Sequence, residues 1–157
     1  MDKTIVTALL IIAGVISAVA IFNAIFPAIT QSSDAMASME RRIDERMQSQ
    51  IEIIHATRPS AGNDVLIWVK NVGSLKIAPP EACDLFFGLD GNFARIPYSA
   101  SVIVYPYWNY GLENAAEWRQ GATLRITVHY ATQPISGTYF IKIVLPNGIS
   151  TESFASW

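Results

Sequence analysis

Residues Thr4–Ser33 read TIVTALLIIAGVISAVAIFNAIFPAITQSS, a run without a single charge whose apolar core, Ile5 to Phe26, is 22 residues long. As an α-helix rising about 1.5 Å per residue, that core reaches roughly 33 Å, enough to cross the ~30 Å hydrocarbon layer of a bilayer. A secretory signal peptide has a basic start, a shorter apolar region and a small-residue cleavage site followed by the mature domain. Here the apolar part is longer and runs on. Pro27 removes one helical hydrogen bond, which predicts a kink or local break near Phe26–Pro27. Lys3 is the cation on the N-terminal side of the run, with Arg41, Arg42 and Arg46 on the other. That count alone would leave the C-terminal part in the cytoplasm.

Outward from this stretch the chain turns polar but keeps a stripe. Met36, Met39, Ile43, Met47, Ile51 and Ile54 recur at spacings of three and four, which predicts one helix continuing to about residue 57. Charged residues from Asp34 to Glu52 take the remaining faces, with Arg41 and Glu45 at i, i+4 spacing. The stripe packs either on the chain's own domain or, as a seam of Met36, Met39, Ile43 and Met47, on neighbouring helices, where methionine supplies adaptable packing. The organisation expected is a helix over 1–57, with an apolar or membrane segment at 4–29 and an amphipathic extension at 30–57, followed by a domain at 58–157.

Past the breaker cluster Arg58-Pro59-Ser60-Ala61-Gly62-Asn63 the hydrophobic period falls from 3.6 to 2. Strands are predicted at Asp64–Asn71, Cys83–Leu89, Phe93–Pro97, Ser101–Tyr105, Thr123–Tyr130, Thr138–Leu145 and Ile149–Phe154. Asp90-Gly91 and Asn147-Gly148 carry hairpin-turn chemistry. Short strands at this density fit an immunoglobulin-like β-sandwich, without the Cys…Trp…Cys signature of antibody domains. The fold class expected is therefore α+β, a long N-terminal hydrophobic α-helix followed by a C-terminal sandwich.

Composition narrows the chemistry. With 51% hydrophobic and 15% charged residues and a mean hydropathy of +0.28, the chain is too apolar for disorder and too poor in charge for an average soluble protein. A net charge of −2 offers no basic surface for a phosphate backbone, so nucleic acid is not an expected partner. Cys83 is the one cysteine, which excludes an intrachain disulfide and a CxxC pair, and acidic Glu81 and Asp84 beside it disfavour a thiolate. His55 and His129 stand without a ligand partner at metal spacing, and phosphate-loop and nucleophile-elbow motifs are absent. Asp84, Asp90 and Asn92 suggest calcium only weakly, since a hairpin explains Asp-Gly-Asn. The aromatic segment Tyr98–Trp118 reads as a contact surface or as a cap on the sandwich. No Asn-x-Ser/Thr acceptor is present. Neither a catalytic site, a cofactor nor a metal is expected.

The architecture resembles the archaellin branch of the type IV pilin-like superfamily. Val69-Lys70-Asn71-Val72-Gly73-Ser74 is similar to the V-x-N-x-G-S segment of archaellins and their stator relatives. Trp118-Arg119-Gln120-Gly121, Gly137-Thr138-Tyr139 and Pro146-Asn147-Gly148 resemble the later W-x-x-G, G-x-Y and P-x-G punctuation. Only Met1-Asp2-Lys3 precede the apolar run, so a basic leader is either already removed or was never there, and Ile5 stands where pilins proper carry Glu. The resemblance implies a subunit of an extracellular motility filament, a homo-oligomer of many copies inserted in the cytoplasmic membrane before assembly. It further implies a separate ATP-driven motor and platform and a prepilin-type peptidase. The filament core would then use Ile5, Leu9, Ile12, Gly14, Val15, Ile16, Val19, Phe22, Ile25 and Phe26, with Ala8, Ala13, Ala18 and Ala20 allowing close approach. The same architecture serves a permanently anchored archaellum stator protein, and an adhesive pilin-like subunit is a third reading.

Overall fold

Alanine and isoleucine are the commonest of the first 48 residues, and methionine, glutamate, arginine and glutamine, strong helix formers, supply much of the stretch from Asp34 on. In a computed structural model, which describes residues 2–101 and 104–157, they form a single α-helix, α1, over Asp2–Gln48. Pro27 lies inside it without ending it. The ring has no N–H to give the Asn23 carbonyl, while Thr30 Oγ1 donates to the carbonyls of Phe26 and Pro27 at 3.2 and 2.9 Å. The local break expected from the sequence does not occur.

The chain divides into two compact units, residues 1–43 and 44–157. Among the described residues the second holds eight strands: β1 Ile51–Thr57, β2 Asp64–Asn71, β3 Asp84–Leu89, β4 Asn92–Ile96, β5 Tyr107–Leu112, β6 Thr123–His129, β7 Thr138–Val144 and β8 Ser150–Ser156. They make two four-stranded sheets in the orders β1-β2-β6-β5 and β4-β3-β7-β8, with every ladder antiparallel. One long helix followed by an immunoglobulin-like sandwich is the α+β fold expected.

Strict alternation builds the core. Val65, Ile67 and Val69 of β2 point inward with Leu124, Ile126 and Val128 of β6, and they face Leu85 and Phe87 of β3 and Ile141 and Ile143 of β7. Trp108 and Trp118 close the same core. The hairpins fall at the expected turns, and in each the glycine takes the positive φ, +79° at Gly91 and +85° at Gly148.

Two elements differ from expectation. The helix stops at Gln48, not near residue 57, and Ile51–Thr57 is edge strand β1, paired with β2 and shifted in register between Ile53 and His55. Ile51 and Ile54 continue the helical spacing by coincidence. In the strand Ile51 is buried in the core, whereas Ile54 is exposed. Strand β5 emerges inside the aromatic segment, carrying Trp108 inward. The strand expected at Ser101–Tyr105 includes positions 102–103, outside the described residues, and Ser101, Val104 and Tyr105 belong to no strand.

Core position and surface position separate energetically. Ile141→Ala, in the fully buried layer, is expected to cost about 2–5 kcal/mol, and Ile135→Ala, on an exposed loop, within about 0.5 kcal/mol. Denaturant titration of the full chain in detergent, followed by tryptophan fluorescence, measures both.

Candidate functional site

The residues singled out in the apolar run all lie on α1. Ile5, Leu9, Ile12, Val15, Ile16, Val19, Phe22, Ile25 and Phe26 are exposed. A methyl added at Gly14 would touch nothing, and Phe22 and Phe26 stack at 5.3 Å. By length and composition α1 is a helix long and apolar enough to cross a membrane. A surface apolar on every side is unfavourable in water, at roughly 25 cal/mol per Å2 of apolar area. It requires lipid or other apolar helices around it. Of the seam residues, Met36 and Met39 are each 65% exposed and Met47 is 80% exposed, with Ile43 also open. Among the described residues no ion pair involves the charges from Asp34 to Arg46, so the Arg41–Glu45 spacing forms no bridge.

At its C-terminal end α1 is fastened to the sandwich. The last carbonyls of a helix lack intrahelical donors and must find others. Gln48 O accepts from Ser74 N at 2.9 Å and Leu75 N at 3.3 Å, and Gln50 O accepts from Val72 N and Gly73 N at 3.0 and 2.9 Å. Ser49 Oγ donates back to Glu45 O at 2.7 Å and accepts from Asn147 Nδ2 at 2.8 Å, while Arg46 Nε donates to Asn147 O at 3.0 Å. Two loops of the sandwich, 72–75 and the β7–β8 turn, thus grip residues 45–50.

Asn71 holds the first of those loops in shape. It has no exposed surface, and Nδ2 donates to Leu75 O at 2.8 Å and Trp118 O at 3.0 Å while Oδ1 accepts from Gly73 N at 3.0 Å. Its backbone donates to Ala122 O and accepts from Gly121 N. Every strong polar atom of this buried side chain is therefore paired. Gly73 is required by contact, because a Cβ there would run into Gln48 O and Gln50 N. The V-x-N-x-G-S and W-x-x-G phrases are two halves of one clamp that meet at the helix end, a contact their spacing along the chain does not reveal.

The reactive side chains are dispersed. Burial, with the negative charges of Asp84 and then Glu81, pushes the Cys83 thiol up to about 12, so it stays protonated in the core. His129 Nδ1 lies 2.9 Å from Asp64 Oδ1 with Tyr107 stacked on the imidazole, and His55 packs on Trp68. Tyr110 donates to Glu81 Oε2 at 2.9 Å, and burial first, then that bond, raises its hydroxyl to about 12. The aromatic segment is split, with Trp108 and Trp118 in the core and Tyr98 and Tyr105 at the surface. No cluster of three potential metal ligands occurs among the described residues.

No family model matches the chain. An uncharacterized protein of Archaeoglobus fulgidus is 27% identical over 161 residues, spanning 99% of this chain and 98% of that protein. Among solved structures, the archaellum periplasmic stator protein FlaG from Sulfolobus acidocaldarius is similar, at 27% identity and a TM-score of 0.57, over 68% of this chain and 99% of that one. The same values of identity and TM-score hold for a chain in the archaellum periplasmic stator complex of FlaF and FlaG from that organism, over 68% of this chain and 88% of the other.

The clamp makes a graded prediction. Asn71→Ala takes a donor from Leu75 O, one of two donors from Trp118 O and one of two acceptors from Gly73 N–H, and at about 1–3 kcal/mol for an unsatisfied buried group it is expected to destabilise more than Ser74→Ala, which keeps the backbone bond to Gln48. Gly73→Ala forces backbone apart and is expected to be at least as damaging as Asn71→Ala. Hydrogen exchange at the amides of residues 72–75 reads the loss at its source.

Proposed function

We propose that this chain is a stator-type component of the archaellum, anchored by α1 in the cytoplasmic membrane and using its sandwich to hold to the surrounding envelope. The observation that carries the reading is the 27% identity with the stator protein FlaG over nearly the whole of that chain, accompanied by a common fold. A long apolar helix and an outer sandwich serve a filament subunit equally well. The sequence likeness favours the stator, and the filament-subunit reading takes second place. With it recede the many-copy extracellular filament and the adhesive pilin.

In this reading residues 4–29 stay in lipid permanently and the sandwich stands outside the membrane, against the direction of the arginine count beyond the apolar run. A stator must resist the torque of whatever turns against it. The clamp suits that demand, because load on the sandwich passes into backbone hydrogen bonds at residues 45–50 and not into a flexible linker. The chain itself hydrolyses nothing, and torque comes from a separate ATP-driven motor. Its partner is a second stator protein of the FlaF kind, by analogy with the FlaF–FlaG complex.

Shearing surface filaments from native cells, and taking the intact mass of their dominant protein, tests the assignment. The stator reading predicts a different protein in the filaments and this chain in the envelope at low copy. Finding this chain as the dominant filament protein would restore the filament-subunit reading.

A further inference from the structure

We propose that Asn147 is a site of spontaneous side-chain deamidation, and that the clamp at the end of α1 governs when it reacts. Of the asparagines in the chain, Asn147 alone precedes a glycine. With no Cβ on Gly148, the backbone nitrogen that follows the asparagine meets little obstruction on its way to the side-chain carbonyl carbon. In the reaction that nitrogen gives its proton to solvent base and bonds to Asn147 Cγ, Nδ2 leaves as ammonia, and a succinimide ring closes. Water then opens the ring at one carbonyl or the other, giving aspartate or, with the main chain routed through the former side chain, isoaspartate.

The folded turn opposes the first step. Gly148 N donates to Leu145 O at 2.8 Å, closing a β-turn with Pro146 and Asn147 at its centre. The peptide bond before Pro146 is trans and Asn147 does not have a positive φ, which makes this a type I turn, with ψ of Asn147 near zero. That angle turns the Gly148 nitrogen toward the backbone nitrogen of Asn147, whereas ring closure needs it turned toward Cβ. The side chain is held as well. Oδ1 accepts from Ile149 N at 3.2 Å and Nδ2 donates to Ser49 Oγ at 2.8 Å, while Arg46 Nε donates to the Asn147 carbonyl at 3.0 Å. Two of the bonds that fix the reacting residue thus come from the end of α1.

Either product undoes this grip. Aspartate has no Nδ2 to offer Ser49 Oγ, whose own proton goes to Glu45 O, so two acceptors would face each other. The new negative charge would also border the hollow that Glu45 and Ser49 line. Isoaspartate lengthens the main chain at the residue whose carbonyl Arg46 holds. A clamp that stays open long enough to react does not close again as before.

The purified full chain in detergent, incubated at mildly alkaline pH beside a synthetic peptide of residues 143–157, tests this. Trypsin cuts after Lys142, and the fragment it releases contains Asn147 and no other asparagine or glutamine, so its mass reads this site alone. The full chain is expected to convert many-fold more slowly than the peptide. Ser49→Ala and Arg46→Gln are each expected to speed the conversion several-fold, and Ile126→Val, which weakens the core away from the clamp, to leave it unchanged. Asn147→Asp, the aspartyl product, is expected to raise hydrogen exchange at the Ser49 amide several-fold. A full chain as fast as the peptide, clamp variants no faster than the unaltered chain, or Ile126→Val as fast as Ser49→Ala would overturn the gating. Unchanged exchange in Asn147→Asp would overturn the loss of grip.

Discussion

The carbonyl end of α1 is where the demands of the fold converge. A helix that ends against a folded domain must satisfy its last carbonyls, and here Gln48 O accepts from the N–H groups of Ser74 and Leu75 while Gln50 O, just past the helix, accepts from those of Val72 and Gly73, all in the loop that Asn71 shapes from within. Remove that side chain and the loop loses two bonds, to Gly73 N and Leu75 O, together with the tie to Trp118 O. The carbonyls of Gln48 and Gln50 would then compete for water at a site built without room for a Cβ on Gly73. The β7–β8 turn adds a second grip through Asn147. Helix termination, the start of β1 and the path of the chain around Trp118 all follow from this one set of bonds.

The residue types of the chain are partitioned along its length. From Thr4 to Ser33 there is no charge and every described side chain is exposed, a surface compatible with lipid or with other apolar helices. From Asp34 the helix is amphipathic, and from Ile51 apolar side chains at alternating strand positions turn inward to the sandwich core. A backbone-to-backbone clamp is stiffer than surface ion pairs, which bring little stability and are screened by salt.

Much of this was legible in the residues. The period-2 alternation of DVLIWVKN places β2 from Asp64 to Asn71, and the Asp-Gly and Asn-Gly pairs locate two hairpins, because both signals are local. Strand β1 was not legible. Ile51 and Ile54 fit helix and strand alike, no glycine or proline lies between Gln48 and Ile51, and what ends the helix is a loop more than 20 residues farther along the chain. Strand β5 hid among aromatics that look alike in sequence, although Trp108 is core and Tyr105 is surface. The motifs of the clamp were visible as separate phrases, and their meeting depends on the β2–β6 pairing, a long-range contact that composition does not encode. The choice between filament and stator was beyond both helix and sandwich, since either assembly uses both.

Under the proposed stator function force would pass from the apolar helix to the sandwich through the helix residues on either side of Asp44, and swimming cells test this most directly. A short Gly-Ser linker inserted between Ile43 and Asp44 leaves the anchor, the clamp and the sandwich each intact while breaking the helix that joins them. Rotation of tethered cells should then fail or stall, with filament number and the membrane-bound amount of the protein unchanged. Rotation at the speed of cells carrying the uninterrupted chain would contradict the account.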